Sequence, residues 1–350
     1  MELGSFVGIV EMTLRDLLKK VTSPLSRQRK DTIRIMNKYI TKANDLVTSR
    51  DETRAGFIAF ALEKNRKAAP YIEQAKSLKV IASRAKTPKD LITMKEIEAP
   101  LLTAAGLSDK ALNYFQDQDK TKAIEELVAN FLEPAGDGFV DEVVYRYLLI
   151  KGDSLGGSMR NIIGSLGQQK LVRSFLSILR IRNIPYRWLS TDKNAQWDDM
   201  PEDDTIVEQN VKAISWTNDG QSRILAFNLT IPLVKKNVDI CLFEGSYEDY
   251  DKGKISKNIE AAILLGELKA GIDPAGADEH WKTANSALER IVNAYTAKGH
   301  PVKTAFIGAA IEKAMASEIF DQLNSGKLTN AANLSDEKQL VEISDWIVKL

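Results

Sequence analysis

Three charged residues interrupt apolar segments in the second half of this 350-residue chain. Asp239 lies within the apolar segment 238–243, and Glu267 and Lys269 follow the apolar run 263–265. An ionised side chain in an apolar strand is costly unless it meets a cation or hydrogen-bond donors. Side chains two residues apart on a strand share a face, so we expect Glu267 and Lys269 to point the same way.

If the two strands are neighbours, Asp239 faces this pair, and two carboxylates beside a lysine form a site that suits Mg²⁺. Hydrolysis of a phosphodiester needs such a cation, a polarised water and a positive group near the developing charge. The alternative is a salt bridge between Glu267 and Lys269 at the mouth of a sheet. The apolar setting of both charged positions favours the metal site. Gly266 would then leave room for a substrate backbone.

A turn-rich loop, 271–277, leads from this strand into an amphipathic helix predicted over 278–298. His280 would lie in the first turn of that helix, near the charged strand end. A histidine there titrates close to neutral pH and could take a proton from the attacking water. The alternative is an ordinary helix-start residue with a satisfied hydrogen bond. His300, in a turn, receives no role.

A Gly/Ser-rich turn, 151–161, precedes another predicted helix. Free amides at a helix N-terminus bind phosphate oxygens, and Arg160 or Lys151 could add positive charge. A plain helix-start turn explains the same residues. Glu142 could approach the metal from outside its ligand set, although a pair with Arg146 one turn on is the simpler interpretation. The acidic stretch 198–204 lacks the spacing of a calcium loop and is predicted to be a solvated loop.

The elements that would position these residues divide the chain in two. Residues 1–133 show helical periodicity, with breaks predicted at Pro70, Pro88 and Pro100. The turn-rich stretch 133–138 is the candidate boundary. Residues 134–350 alternate predicted helices and strands, which indicates an α/β domain with a mixed sheet. The predicted helices of this half are 139–151, 159–182, 278–298, 309–323 and 336–348, and the predicted strands are 184–189, 211–216, 223–229, 237–243, 261–270 and 302–308.

Composition restricts the classes of function. One cysteine and two histidines exclude a Cys/His zinc site, so any metal must be held by oxygens. A net charge of zero argues against coating nucleic acid by bulk attraction, although the first fifty residues carry ten Lys and Arg against five Asp and Glu. That segment is either a solvated helix face or a DNA-facing arm. No apolar run suits a membrane span or secretory signal, which predicts a cytoplasmic protein.

Several segments, in this order, resemble the AvaI/BsoBI family of type II restriction endonucleases. The most specific is the block Glu267–Lys282, which follows the strand containing Asp239. The segments Thr53–Phe57, Phe131–Asp137 and Gly152–Asn161 also match. The resemblance therefore extends from about Thr53 to the long helix.

The resemblance implies a PD-(D/E)XK nuclease fold with an N-terminal helical domain that embraces DNA and dimerises. It implies a homodimer that encloses duplex DNA and cuts both strands of a palindrome with Mg²⁺. Asp239, Glu267 and the Leu268 carbonyl would be the metal ligands. Lys269 would polarise water, and His280 would match the water-activating histidine proposed for the family.

The resemblance also implies a target. Lys236 and Asp273 fall where the family places base-contacting residues, and such side chains read guanine and cytosine. Members cut the degenerate hexamer CYCGRG and belong to systems with a cognate DNA methyltransferase. The basic first fifty residues have no counterpart in this match, and residues 190–222 align poorly.

Three alternatives remain open on the sequence. A repair or recombination nuclease of the same fold would share the metal site but cut without this sequence preference. A DNA-binding protein with a decayed site is disfavoured because Asp239, Glu267 and Lys269 are all present. A structural helical adaptor leaves these charged residues without a role.

Overall fold

The computed structural model describes residues 37–251 and 253–350. Most of the basic N-terminal segment lies outside these residues. The contacts divide the chain into a helical unit, Ala55–Ile163, and a second unit made of Gly164–Leu350 with the described residues before Ala55. These division points differ from the predicted boundary at residues 133 and 134, because the helix that follows the turn-rich stretch continues as far as Ile181.

The helical unit contains short helices between parts of two long ones. Its core is an apolar cluster that includes Leu78, Leu101, Leu127 and Val143. The helices are α1 (Arg50–Ala82), α2 (Glu98–Ala104), α3 (Asp109–Leu112), α4 (Asp117–Leu127) and α5 (Phe139–Ile181), with short 3₁₀ or π segments at Pro88–Thr93, Lys95–Ile97, Val128–Leu132 and Gly136–Gly138. No helix within the described residues combines the length and apolar character that crossing a membrane requires.

Two predicted breaks are wrong. Pro70 lies inside the continuous helix α1, and the predicted turn 151–161 lies inside α5. A proline or several glycines cost a helix a few kcal/mol, on the order of 1 kcal/mol per glycine and 3 per proline. In α5, packing offsets part of the glycine cost, since Leu155 and Met159 are buried one turn apart across the glycine-rich stretch.

The second unit is built on an eight-stranded sheet in the order β2-β1-β3-β4-β5-β6-β7-β8. Neighbours from β2 to β6 are antiparallel, and β6, β7 and β8 are parallel, so the prediction of a mixed α/β sheet is confirmed. The short polar strands β2 and β8 escaped prediction because they carry no apolar alternation. The strands are β1 (Tyr186–Ser190), β2 (Trp197–Asp199), β3 (Val211–Asn218), β4 (Gln221–Ile231), β5 (Lys236–Glu244), β6 (Ala262–Lys269), β7 (Lys303–Gly308) and β8 (Asn330–Asn333).

Helices cover both faces of this sheet. The remaining helices are α6 (Thr205–Asn210), α7 (Tyr247–Asp251), α8 (Pro274–Thr296), α9 (Lys313–Ser325) and α10 (Glu337–Lys349). One apolar cluster, here the α8-side cluster, joins the sheet to α8 and α9 through residues such as Trp281 and Ile319. The other, the α5-side cluster, joins it to the C-terminal half of α5 and to α10 through Phe175 and Ile343. Each buried large side chain contributes about 1.5–3 kcal/mol, and the clusters hold the strands in register.

The acidic stretch 198–204 is not entirely solvated. Asp204 is buried and accepts from Arg173 Nη1 at 2.6 Å and from Arg180 Nε at 2.5 Å. Although burial by itself raises the pKa of Asp204, these hydrogen bonds and charges lower it overall. The stretch therefore anchors α5 to Asp204, which directly precedes the helix that begins at Thr205, a structural role that the sequence pattern did not indicate.

Candidate active site

Strands β5 and β6 are antiparallel neighbours, with Ile240 opposite Gly266. The next position along this register brings Asp239 beside Glu267. The two strands are therefore adjacent, as the predicted metal site requires. β6 also pairs with β7, so Glu267 lies in the interior of the sheet, opposite Phe306.

The three charged side chains contact one another. Lys269 Nζ donates to Glu267 Oε2 at 2.7 Å and to Asp239 Oδ2 at 3.0 Å. The Leu268 backbone N–H donates to the same Asp239 oxygen at 2.9 Å. The Glu267 side chain is 6% exposed, whereas those of Asp239 and Lys269 are 25% and 23% exposed. Glu267 is thus almost completely buried, whereas Asp239 and Lys269 are partly accessible to solvent.

Burial and mutual charge set the protonation of this cluster. Burial, followed by the negative charge of Asp239, raises the pKa of Glu267 to about 7. Burial alone would lower the pKa of Lys269, but the neighbouring carboxylates outweigh it and raise that pKa. Lys269 is therefore a stable cation between two acids that repel each other, and a second cation would relieve that repulsion.

The donor set fits a hard divalent cation. Within a strand the N–H and C=O of one residue point to the same edge, so the Leu268 carbonyl faces β5, as its N–H does. Asp239, Glu267 and this carbonyl are oxygen donors of the kind that Mg²⁺ takes, with waters completing its shell. Among the described residues no cluster of three or more His, Cys, Asp or Glu side chains is placed to hold a metal, so the two carboxylates would carry the charge.

The prediction that Gly266 leaves room for a substrate backbone is wrong. This glycine is buried inside the sheet, and a Cβ built on it would lie 3.0 Å from the Ala305 carbonyl oxygen and 3.5 Å from Ile240 Cβ. The missing side chain therefore allows close packing of β6 against its neighbours. It does not open space for a substrate backbone.

His280 lies in α8, which begins at Pro274, earlier than predicted, so this histidine occupies the second turn. Its exposed ring packs beside Gly271, two residues after Lys269: a Cβ built on Gly271 would lie 2.8 Å from His280 Cε1. Asp273 is the N-cap of the helix and accepts from Ala275 N–H at 3.0 Å. Sequence reasoning overlooked Gly271, although a glycine beside a strand end is itself a signal of close packing.

The other predicted residues lie elsewhere. Lys236 is exposed at the start of β5, three residues before Asp239. Arg160 and Lys151 lie on α5 within the helical unit, where Lys151 Nζ is 5.9 Å from the ring centre of Tyr71. The amides of residues 152–161 belong to the continuous helix, so the prediction of a phosphate-binding turn is wrong. Glu142 accepts from Arg146 Nε at 2.7 Å, the simpler of its two interpretations.

Known proteins match nearly all of the described chain. The family model described as "Restriction endonuclease BsobI" matches residues 36–350. The type II restriction enzyme BsoBI of Geobacillus stearothermophilus is 56% identical over 314 residues, which cover 89% of this chain and 97% of that enzyme. The type II restriction enzyme AvaI of Nostoc sp. is 51% identical over 313 residues, which cover 89% of this chain and 98% of the relative. AvaI of Anabaena variabilis matches to the same extent.

Proposed function

This chain belongs to the BsobI family of restriction endonucleases and is a type II enzyme, and we propose that it cuts double-stranded DNA at a short G·C-rich palindrome of the CYCGRG type in a Mg²⁺-dependent reaction. The observation that carries the chemistry is the contact of Lys269 with both Asp239 and Glu267. The arrangement supplies two oxygen ligands and a fixed cation at one solvent-facing end of the sheet.

Asp239 and Glu267, with the Leu268 carbonyl, would hold the metal. A bound Mg²⁺ supplies charge neutralisation at the scissile phosphate and makes water a better nucleophile. Lys269 keeps its proton because its neighbours raise its pKa, so it acts as a fixed positive charge beside the phosphate and not as a base. Its contacts with both acids hold the carboxylates in place before the substrate arrives.

His280 is proposed to accept the proton of the attacking water. Its ring is exposed and packs on Gly271, close in sequence to the strand end that carries Lys269. An imidazole near neutral pH combines the basicity and the accessibility that this step needs. The exposure also allows the ring to reach a bound substrate.

Sequence recognition is proposed for Lys236 and Asp273. Both are exposed, and the elements that carry them flank the metal site along β5 and at the start of α8. A lysine reads the major-groove acceptors of guanine, and an aspartate accepts from the amino group of cytosine. Arg160 and Lys151 would contribute contacts to the phosphate backbone.

A homodimer is proposed because a palindromic site presents two equivalent scissile bonds and one chain holds one site. Dimerisation and enclosure of DNA are assigned to the N-terminal helical part of the chain, residues 1–133. A cognate DNA methyltransferase would be the functional partner that protects the host sequence. Sedimentation of the DNA-bound protein tests the dimer directly.

Digestion of a sequenced plasmid with Mg²⁺, followed by mapping of both cut ends, tests the function. Discrete fragments that end within CYCGRG sites are expected. Fragments without a common sequence would assign a repair or recombination nuclease instead. Tight binding to such sites without cleavage would identify a decayed nuclease.

A further inference from the structure

Asn228 lies in the middle of β4 but has a φ of 52°, in the left-handed region. The pairs on either side of it, Phe227 with Ile240 and Leu229 with Val238, are regular. The same register places residue 228 directly opposite Asp239. An L-residue in this conformation inside a strand is uncommon, and asparagine tolerates it better than most.

The alternation of side chains changes at Asn228. Ala226 packs in the α8-side cluster and Phe227 in the α5-side cluster, as alternation requires. Beyond Asn228, Leu229 and Ile231 would share the face of Phe227 in a regular strand. Instead both pack with the α8-side cluster. The left-handed residue therefore rotates the end of the hairpin relative to the rest of the sheet.

The side chain of Asn228 bonds on the α5 side. Its Nδ2 donates to Gln168 Oε1 at 2.7 Å, and Gln168 Nε2 donates to the Val211 carbonyl at 3.3 Å. Gln168 belongs to α5, whose next turns form the α5-side cluster. Both ends of the glutamine amide are thus occupied, and the orientation of Asn228 is fixed.

Regular alternation would place residue 228 on the other face, with Ala226. In β6, Leu265 packs in the α8-side cluster, so Glu267 and Lys269, two and four residues further on, lie towards that face. Asp239 contacts Lys269 Nζ at 3.0 Å and therefore lies on the same side. A side chain directly opposite Asp239 would then have its Cβ about 4.5–5.5 Å from that of the aspartate. The left-handed conformation, with the side chain bonded to Gln168, removes this neighbour from beside the Asp239 side chain.

Helix α5 is held close to the strand end beyond the site as well. A Cβ built on Gly167 would lie 2.2 Å from Ala270 Cβ, so only glycine permits this approach. Ala270 directly follows Lys269. Strands β4 and β6 lie on either side of β5. One turn of α5 contacts both of them, β4 through Gln168 and the residue that follows β6 through Gly167.

We propose that Asn228 is a positioning residue, whose left-handed conformation, held by Gln168, keeps the space beside the Asp239 carboxylate clear for the metal and the scissile phosphate. This inference rests on the proposed function of Asp239 as a metal ligand. It assigns no contact with substrate to Asn228 itself.

The test compares Asn228→Ala with Asn228→Gly. Alanine disfavours the left-handed region, so the backbone should relax and place the new Cβ beside Asp239, whereas glycine keeps the conformation. Asn183→Ala is the matched control, because Asn183 has a φ of 54° just beyond the end of α5. The readouts are Mn²⁺ binding to the DNA-free protein by electron paramagnetic resonance, kcat and KM for cleavage, and thermal unfolding.

We expect Asn228→Ala to weaken Mn²⁺ binding and to lower kcat at least tenfold with little change in KM. Asn228→Gly should stay within about threefold of the unmodified protein, and Asn183→Ala should lose thermal stability only. Gln168→Ala, which leaves Asn228 in place but removes its acceptor together with the bond to the Val211 carbonyl, should shift Mn²⁺ binding in the same direction by less. It is the variant that decides the test if Asn228→Ala does not fold.

Unchanged Mn²⁺ binding in folded Asn228→Ala would overturn the inference, as would an equal loss of activity in Asn183→Ala. The unmodified protein and Lys269→Ala are assayed in parallel. If the unmodified protein cuts no DNA, the proposed function fails. If it cuts and Asn228→Ala cuts equally well, only the role of Asn228 fails.

Discussion

Lys269 Nζ lies 2.7 Å from Glu267 Oε2, although these residues are two apart on one strand and Glu267 is almost completely buried. Because side chains at this spacing project from the same face, the contact needs no irregularity of the strand. The lysine also bonds Asp239 from the neighbouring strand at 3.0 Å. A short sequence pattern and one strand pairing together create the charge arrangement from which the following predictions derive.

Lys269→Ala is expected to keep DNA binding and lose at least a hundredfold in cleavage rate, since it removes a fixed cation beside the reacting phosphate. Gel-shift assays with Ca²⁺ report binding, and plasmid cleavage with Mg²⁺ reports catalysis. Lys327→Ala is the control, because Lys327 pairs with Glu289 on α8, outside the cluster. Undiminished cutting by Lys269→Ala would contradict the assignment.

His280→Ala is expected to fold normally and cut far more slowly, because the exposed ring makes no packing contact within the core but is the proposed proton acceptor. His300→Ala is the matched histidine control. Its Nε2 lies 3.0 Å from the Ala262 carbonyl oxygen, so its replacement should affect stability alone. Single-turnover rates decide the matter, and a wild-type rate in His280→Ala would leave that residue without a catalytic role.

Gly271→Ala should reduce cleavage about tenfold by displacing the His280 ring, with the Mg²⁺ requirement unchanged. The new Cβ would lie 2.8 Å from His280 Cε1 and 3.1 Å from its Nδ1, and the ring can rotate away at little cost to the fold. Gly276→Ala is the control, because its Cβ would lie 3.7 Å from Nε2, an ordinary contact. Equal rates in the two variants would show that the position of the ring is unimportant.

The metal-free protein should become less stable as pH rises from about 4.5 to about 7. The pKa of Glu267 is about 7 when folded, above its ordinary value of 4.5, so between these values the folded state binds more protons than the unfolded state. The free energy of unfolding should therefore fall progressively across this window.

Urea unfolding in EDTA at several pH values measures this loss. Glu267→Gln should abolish it, and Mg²⁺ at pH 8 should restore stability to the unmodified protein but not to the variant. Glu279→Gln, at an exposed position of α8, is the control and should keep the original pH dependence. The same slope in Glu267→Gln would show that another group is responsible.

The sequence by itself determined the candidate site residues and most of the sheet. Asp239, Glu267 and Lys269 stand out because charges inside apolar strands need partners, and the two strands that contain them were predicted nearly to their observed bounds. The amphipathic face of α8 was also predicted from the sequence, since Trp281 and Leu288 lie seven residues apart, a spacing that places both on one side of a helix. Patterns of this kind are local, and burial of one face enforces them.

The tertiary structure decided what local preferences leave open. Pro70 and the glycines of 152–157 break helices in isolation, yet α1 and α5 are both continuous, and in α5 the buried Leu155 and Met159 contribute packing across the glycines. The local sequence around Asp204 is typical of a solvated loop, but in the folded chain Asp204 pairs with Arg173 and Arg180 of α5. The left-handed conformation of Asn228 has no sequence signal either, because a partner some sixty residues away, on α5, fixes it. Local conformational preferences of about 1–3 kcal/mol are overridden wherever long-range contacts stabilise a different conformation by more than that.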